Sequence, residues 1–201
     1  MKEDLYEPAK VLYEHAKSFG HLALCLVNLG EYAEAVKAAE KANNIKTWKV
    51  VCFACVDAGV FELAQVCAVR VVAHTDQLKE LLHHYEQSGF FEAAISVLEK
   101  AVGKERPHPG LITALGVLYC KYRPSNLMAH LEAFSDKINV QQLIKVSIEF
   151  GRWAEAVFQY RRNRQFNRAA ELMMEHSPSC FDHEVFKDVT ENISSGDLLL
   201  N

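Results

Sequence analysis

A short punctuation mark recurs along this chain: a glycine, one residue, an aromatic, two residues, an alanine. It falls at Gly30–Tyr32–Ala35, Gly59–Phe61–Ala64, Gly89–Phe91–Ala94 and Gly151–Trp153–Ala156. The glycines are 29, 30 and 62 residues apart, and the last interval is two periods of about 31. A fixed period of this length means that one supersecondary unit has been copied end to end. Such an array buries each unit's apolar face only against its neighbours.

The mark has a direct physical reading. Glycine suits the left-handed turn that ends a helix. The aromatic then stands in the first turn of the next helix, and the alanine lies one turn further on the same face. A large and a small residue side by side let neighbouring helices approach closely, with the aromatic as a knob. The fold class predicted is therefore all-α: a right-handed α-solenoid of stacked antiparallel helical hairpins with a period of about 30 residues. Residues 1–201 read as a single solenoid segment, a fragment of a longer chain.

Twelve or thirteen segments carry the helical pattern, approximately 5–18, 20–29, 31–43, 46–58, 60–73, 75–88, 90–102, 108–121, 124–135, 138–150, 152–163, 165–176 and 180–191. In 90–101, Phe91, Ala94, Ile95 and Leu98 recur at three- and four-residue intervals, with Glu92, Glu99 and Lys100 elsewhere on the wheel. Strand-type alternation is nowhere sustained. Thr75, followed by Asp76, fits an N-cap with an acidic first turn, and either Ser135 or Asn139 fits the cap of the segment after it. Pro8 is tolerable if it falls in a first helical turn. The phase breaks near residue 120, where Pro124 replaces glycine as the stop signal. Residues 103–110, with Pro107 and Pro109, read as an exposed connection. Ser194–Asp197 ends the helical pattern.

Composition narrows the function. The net charge is −4, so no overall basic field attracts nucleic acid. No apolar run approaches the roughly 18 residues of a membrane span, and the first residues carry no apolar signal stretch. Cys25, Cys52, Cys55, Cys67, Cys120 and Cys180 lie mostly within apolar helical segments and read as reduced, buried packing residues. Cys52-x-x-Cys55 stands in mid-helix, without the preceding strand of a redox site or the second ligand pair of a zinc site. The nine histidines are scattered, and the adjacent pair His83 and His84 points in directions about 100° apart on a helix. No phosphate loop or nucleophile motif occurs. A non-enzymatic scaffold without cofactor or metal is the expectation.

Two charged corners stand out. Arg161, Arg162, Arg164 and Arg168 put four arginines in eight residues with no acid among them. The run reads either as a solvated corner or as a contact for an acidic partner, ahead of RNA. Lys121, Tyr122 and Arg123 form a smaller basic corner where the repeat is broken, which suits a specialised surface.

Longer strings resemble the clathrin heavy-chain family. They include Gly30–Asn43, Thr47–Asp57 (with Trp48, Cys52, Phe53 and Cys55), Tyr85–Glu92, Leu118–Pro124, His130–Glu132 and Phe186–Asp188. The similarity runs in register over nearly the whole chain, at the proximal part of the clathrin leg. It implies a leg segment of a vesicle coat, on the cytoplasmic face of coated pits and coated vesicles. The implied partners are the clathrin light chain and neighbouring heavy-chain legs, with no nucleic acid and no membrane insertion. Lys121 matches a family lysine of the light-chain contact; Tyr122 and Arg123 follow by proximity. The repeats alone also fit two other scaffolds. A clathrin-repeat subunit of a vacuolar or endosomal tethering complex lacks the dense matches at 47–57 and 118–124. A peptide-binding adaptor of the tetratricopeptide type runs on a 34-residue period with its own residue pattern.

Overall fold

The computed structural model describes residues 3–104 and 106–193. Among them the chain forms thirteen α-helices and no strand. It divides into two compact units, residues 1–107 and 108–201.

The first unit holds α1 (Glu3–His15), α2 (Phe19–Asn28), α3 (Tyr32–Ala42), α4 (Ile45–Asp57), α5 (Phe61–Val71), α6 (Leu78–Gln87) and α7 (Phe91–Val102). Each helix packs on the next in sequence, and α2, α3, α4 and α5 also touch the next but one. That pattern, with short connections, makes stacked hairpins. The buried spine includes Val51, Cys52, Cys55, Val56, Leu81, Tyr85, Ile95 and Leu98. In α7 the three- and four-residue spacing is met: Ala94, Ile95 and Leu98 are buried, while Glu92 and Lys100 face solvent.

The second unit holds α8 (Pro109–Tyr122), α9 (Leu127–Phe134), α10 (Val140–Glu149), α11 (Trp153–Arg162), α12 (Phe166–Glu175) and α13 (His183–Glu191). α8 packs on α9 and α10, α11 on α9, α10 and α12, and α12 on α13. Ala156, Val157, Ala169, Met173 and Val189 form one buried cluster. Gly116 of α8 lies so close to α10 that a Cβ there would stand 3.0 Å from a Leu143 methyl.

The glycine marks fold as expected. Gly30, Gly59, Gly89 and Gly151 have φ of 76°, 71°, 76° and 66°. At Gly89 the Phe90 N–H donates to the Tyr85 carbonyl at 2.9 Å, and the Gly89 N–H to the Glu86 carbonyl at 3.1 Å. The other three glycines carry the same pair of bonds, the Schellman arrangement that satisfies a helix's last carbonyls. Tyr32, Phe61, Phe91 and Trp153 are the first residues of α3, α5, α7 and α11, and Ala35, Ala64, Ala94 and Ala156 are buried.

The same turn occurs twice without glycine. Lys17 (φ 51°) and Arg164 (φ 57°) take the left-handed position. The Ser18 N–H donates to Tyr13 O and the Gln165 N–H to Tyr160 O, each at 2.9 Å. The aromatic and the small or apolar residue keep their spacing at Phe19 and Leu22, and at Phe166 and Ala169. The repeat therefore has six marks of one geometry among the described residues.

Several local expectations change. The aromatics of the mark are not deep knobs: Phe61 is 38% exposed, set edge-on against Phe90, and Trp153 is half-buried in a parallel stack on His176. The close approach is made by the alanines. Pro8 stands beyond the first turn of α1, inside the helix. Thr75 does not cap α6: Thr75–Gln77 forms a 3₁₀ turn ahead of it. Asn139, not Ser135, caps α10, its side chain accepting from the Gln142 N–H. Pro109 opens α8 directly, with the His108 ring accepting from the Gly110 N–H. The helix stop expected at 194–197 lies outside the described residues.

Candidate partner-binding site

Lys121 and Tyr122 are the last residues of α8, and Arg123 is its C-cap. All three are half-buried. Pro124 cannot donate a backbone hydrogen bond, so the helix stops and a 3₁₀ turn over Pro124–Asn126 leads into α9. A cation in the last turn of a helix lies against the negative end of its dipole, which favours Lys121 there.

The corner is braced from behind. The Arg152 Nε–H, from the turn before α11, donates to the Cys120 carbonyl at 3.3 Å and so satisfies one of the terminal carbonyls of α8. Cys120 Sγ lies 3.7 Å from Ser147 Oγ, and the Gln159 amide nitrogen donates to that same oxygen at 3.3 Å. On the other side His130 is buried, and its Nε2–H donates to the Ile112 carbonyl at 2.9 Å. Its ring meets Tyr119 edge-on at 5.4 Å and Phe134 at 5.1 Å. Burial holds the His130 pKa below the usual imidazole value. A neutral, Nε2-protonated ring thus ties α9 to the first half of α8. Arg152, Ser147, Gln159 and His130 are braces that no sequence motif marks. The signal available was the period, since Arg152 and Cys120 are 32 residues apart.

That period also shows in the first unit. Lys49 reaches Glu80 and the Gln65 amide reaches Ser96, each pair 31 residues apart.

The arginine run is not one patch. Arg161 Nε–H donates to an Asp188 carboxylate oxygen at 3.0 Å, tying α11 to α13. Arg162 donates to Ser135 Oγ at 3.1 Å and lies 3.8 Å from Asp136. Arg164 holds the left-handed turn, and Arg168 lies in the first turn of α12. These arginines belong to α11, α12 and the turn between them, whereas Lys121, Tyr122 and Arg123 close α8.

The cysteines form no disulfide. All six are free and buried, and burial pushes the Cys52 thiol up to about 12. Among the described residues no three His, Cys, Asp or Glu side chains are placed to hold a metal ion. No described helix is long and apolar enough to cross a membrane.

Comparison with known proteins agrees with the geometry. The sequence profile of the family described as "Region in Clathrin and VPS" matches residues 1–63 and 69–200. A clathrin heavy chain 2 of Oryza sativa subsp. japonica is 43% identical over 98% of this chain and 12% of its own length. A probable clathrin heavy chain 1 of Caenorhabditis elegans is 40% identical over 96% of this chain and 12% of its own. The corresponding figures for a clathrin heavy chain 2 of Homo sapiens are 39%, 98% and 12%. The chain thus spans about an eighth of the length of these relatives. With repeat turns, all-helical stacking and a profile match over almost every residue, this chain belongs to the clathrin repeat family, as a segment of the clathrin heavy-chain kind.

Proposed function

We propose that this segment is a scaffold piece of the clathrin coat: a stretch of leg that binds the clathrin light chain and packs against neighbouring heavy-chain legs. It works on the cytoplasmic face of coated pits and vesicles in endocytosis and intracellular transport, and it needs no catalytic group. The observation that carries this reading is the heavy-chain similarity over nearly the whole chain. The braced corner adds support, because it offers what a docking helix requires: a cation at a helix end on a stiff base.

Lys121 is the charged contact of this reading, pairing with light-chain acids, and Tyr122 and Arg123 flank it. The test is a titration of the chain against clathrin light chain beside Lys121→Glu, at low and high salt. Salt-sensitive binding that the charge reversal weakens by about tenfold fits the corner as the contact. Binding indifferent to the reversal moves the contact elsewhere on the array. No binding by the folded chain refutes the light-chain reading.

A further inference from the structure

With Arg161 and Arg162 held by neighbouring acids and a hydroxyl, the other two arginines of the run are left to face solvent. Arg164 and Arg168 are exposed and have no carboxylate partner among the described residues. They line an open basin of about 450 Å³ together with Gln165, Phe166, Asn167 and Asn192. Among the described residues, no aspartate or glutamate lines its wall. Asn192 is fixed by donating to the Asp188 carbonyl at 2.8 Å, which sets one side of the basin. The half-buried Phe166 adds an apolar surface.

The acid next to this wall is Asp188, whose carboxylate accepts from the Asn192 amide at 3.4 Å and is already paired with Arg161. α12 has no acid in its first turn, and its N-cap Gln165 makes no side-chain cap bond. The positive end of the helix therefore adds to the two guanidinium groups. Two exposed guanidinium groups beside an amide and an aromatic face suit carboxylates carried on a peptide. The space exceeds that of a single carboxylate and falls within the range of pockets that take ligands of several groups. A nucleic-acid track needs a longer basic stripe, and the chain as a whole carries −4.

We propose that the Arg164–Arg168 basin docks an acidic peptide segment of a partner protein, with two carboxylates engaging the two arginines.

The test is a fluorescence titration with a labelled peptide of the form Gly-Glu-Glu-Gly-Glu-Glu. Saturable binding is expected, weakened about tenfold by Arg164→Gln with Arg168→Gln, and similarly weakened on raising salt from about 0.05 to about 0.3 M. Arg164→Gly serves as the second variant, since it removes the charge while giving the turn its preferred residue. Weakened binding by a variant that melts no lower than the parent separates a lost contact from a lost fold. Absence of saturable binding, or equal binding by the double variant, overturns the proposal. Displacement by inorganic phosphate at comparable concentration reassigns the basin to small oxyanions, and tighter binding of a short RNA reassigns it to nucleic acid; either result also overturns it.

Discussion

Substitution at Gly89 separates backbone conformation from packing, because a Cβ built there has no neighbour within 4 Å. Whatever a side chain costs at this site comes from holding φ near 76°. For ordinary L-residues the left-handed region costs about 1–2 kcal/mol, less for asparagine and more for a β-branched side chain. Gly89→Asn is therefore expected to lose a few tenths of a kcal/mol, Gly89→Ala about 1 kcal/mol and Gly89→Val about 2 kcal/mol. For a chain of this length about 2 kcal/mol corresponds to a midpoint lower by roughly 4–8 °C. The assay is thermal unfolding followed by far-ultraviolet circular dichroism, with urea unfolding as a second measure. The same reasoning run backwards applies to Arg164. Relief of its left-handed strain, less the entropy cost of glycine, leaves Arg164→Gly more stable by about 0.5–1 kcal/mol. A Gly89→Val protein that melts like the parent would falsify the turn assignment. So would an asparagine variant as damaged as the valine one, since then the loss does not track backbone preference.

Trp153→Ala is expected to cost about 2 kcal/mol, below the roughly 3–5 kcal/mol of a fully buried aromatic, because the ring is half-buried and stacked on His176; urea unfolding of the parent and the variant measures it. His130 binds its proton less readily folded than unfolded. Its stabilising effect is therefore complete above the unfolded pKa near 6.5 and falls away as pH drops below it, so the urea midpoint should decline from about pH 7 to pH 5 more in the parent than in His130→Gln. The Cys52 thiol, buried and pushed up to about 12, should resist alkylation in the native chain and react fully once unfolded; rapid native labelling, read by peptide mass, contradicts its placement.

The sequence carried most of the architecture and little of the bracing. Helix existence and type followed from the apolar spacing, and four turns followed from glycine, because both signals are local. The turns at Lys17 and Arg164 carry no glycine to mark them, although the Phe19–Leu22 and Phe166–Ala169 spacing follows each. Periodicity gives the face on which Trp153 and Phe61 lie but not how far the neighbouring helix covers them. The arginine run looked continuous in one dimension. Asp188 and Asp136 divided it, and neither is near it in sequence. His130 and Gln159 became braces only through partners 12 to 18 residues away, a distance at which spacing rules are silent.

The bonds one period apart have a mechanical consequence. In the first unit, Lys49–Glu80 and Gln65–Ser96 each fasten one layer to the next and no further. A load carried along such a stack passes through its fastenings in series, so compliances add and the softest layer governs how far the stack bends. Single clips such as Lys49 thus act as adjustable springs: removing one should change curvature and bending stiffness while leaving the helices on either side intact.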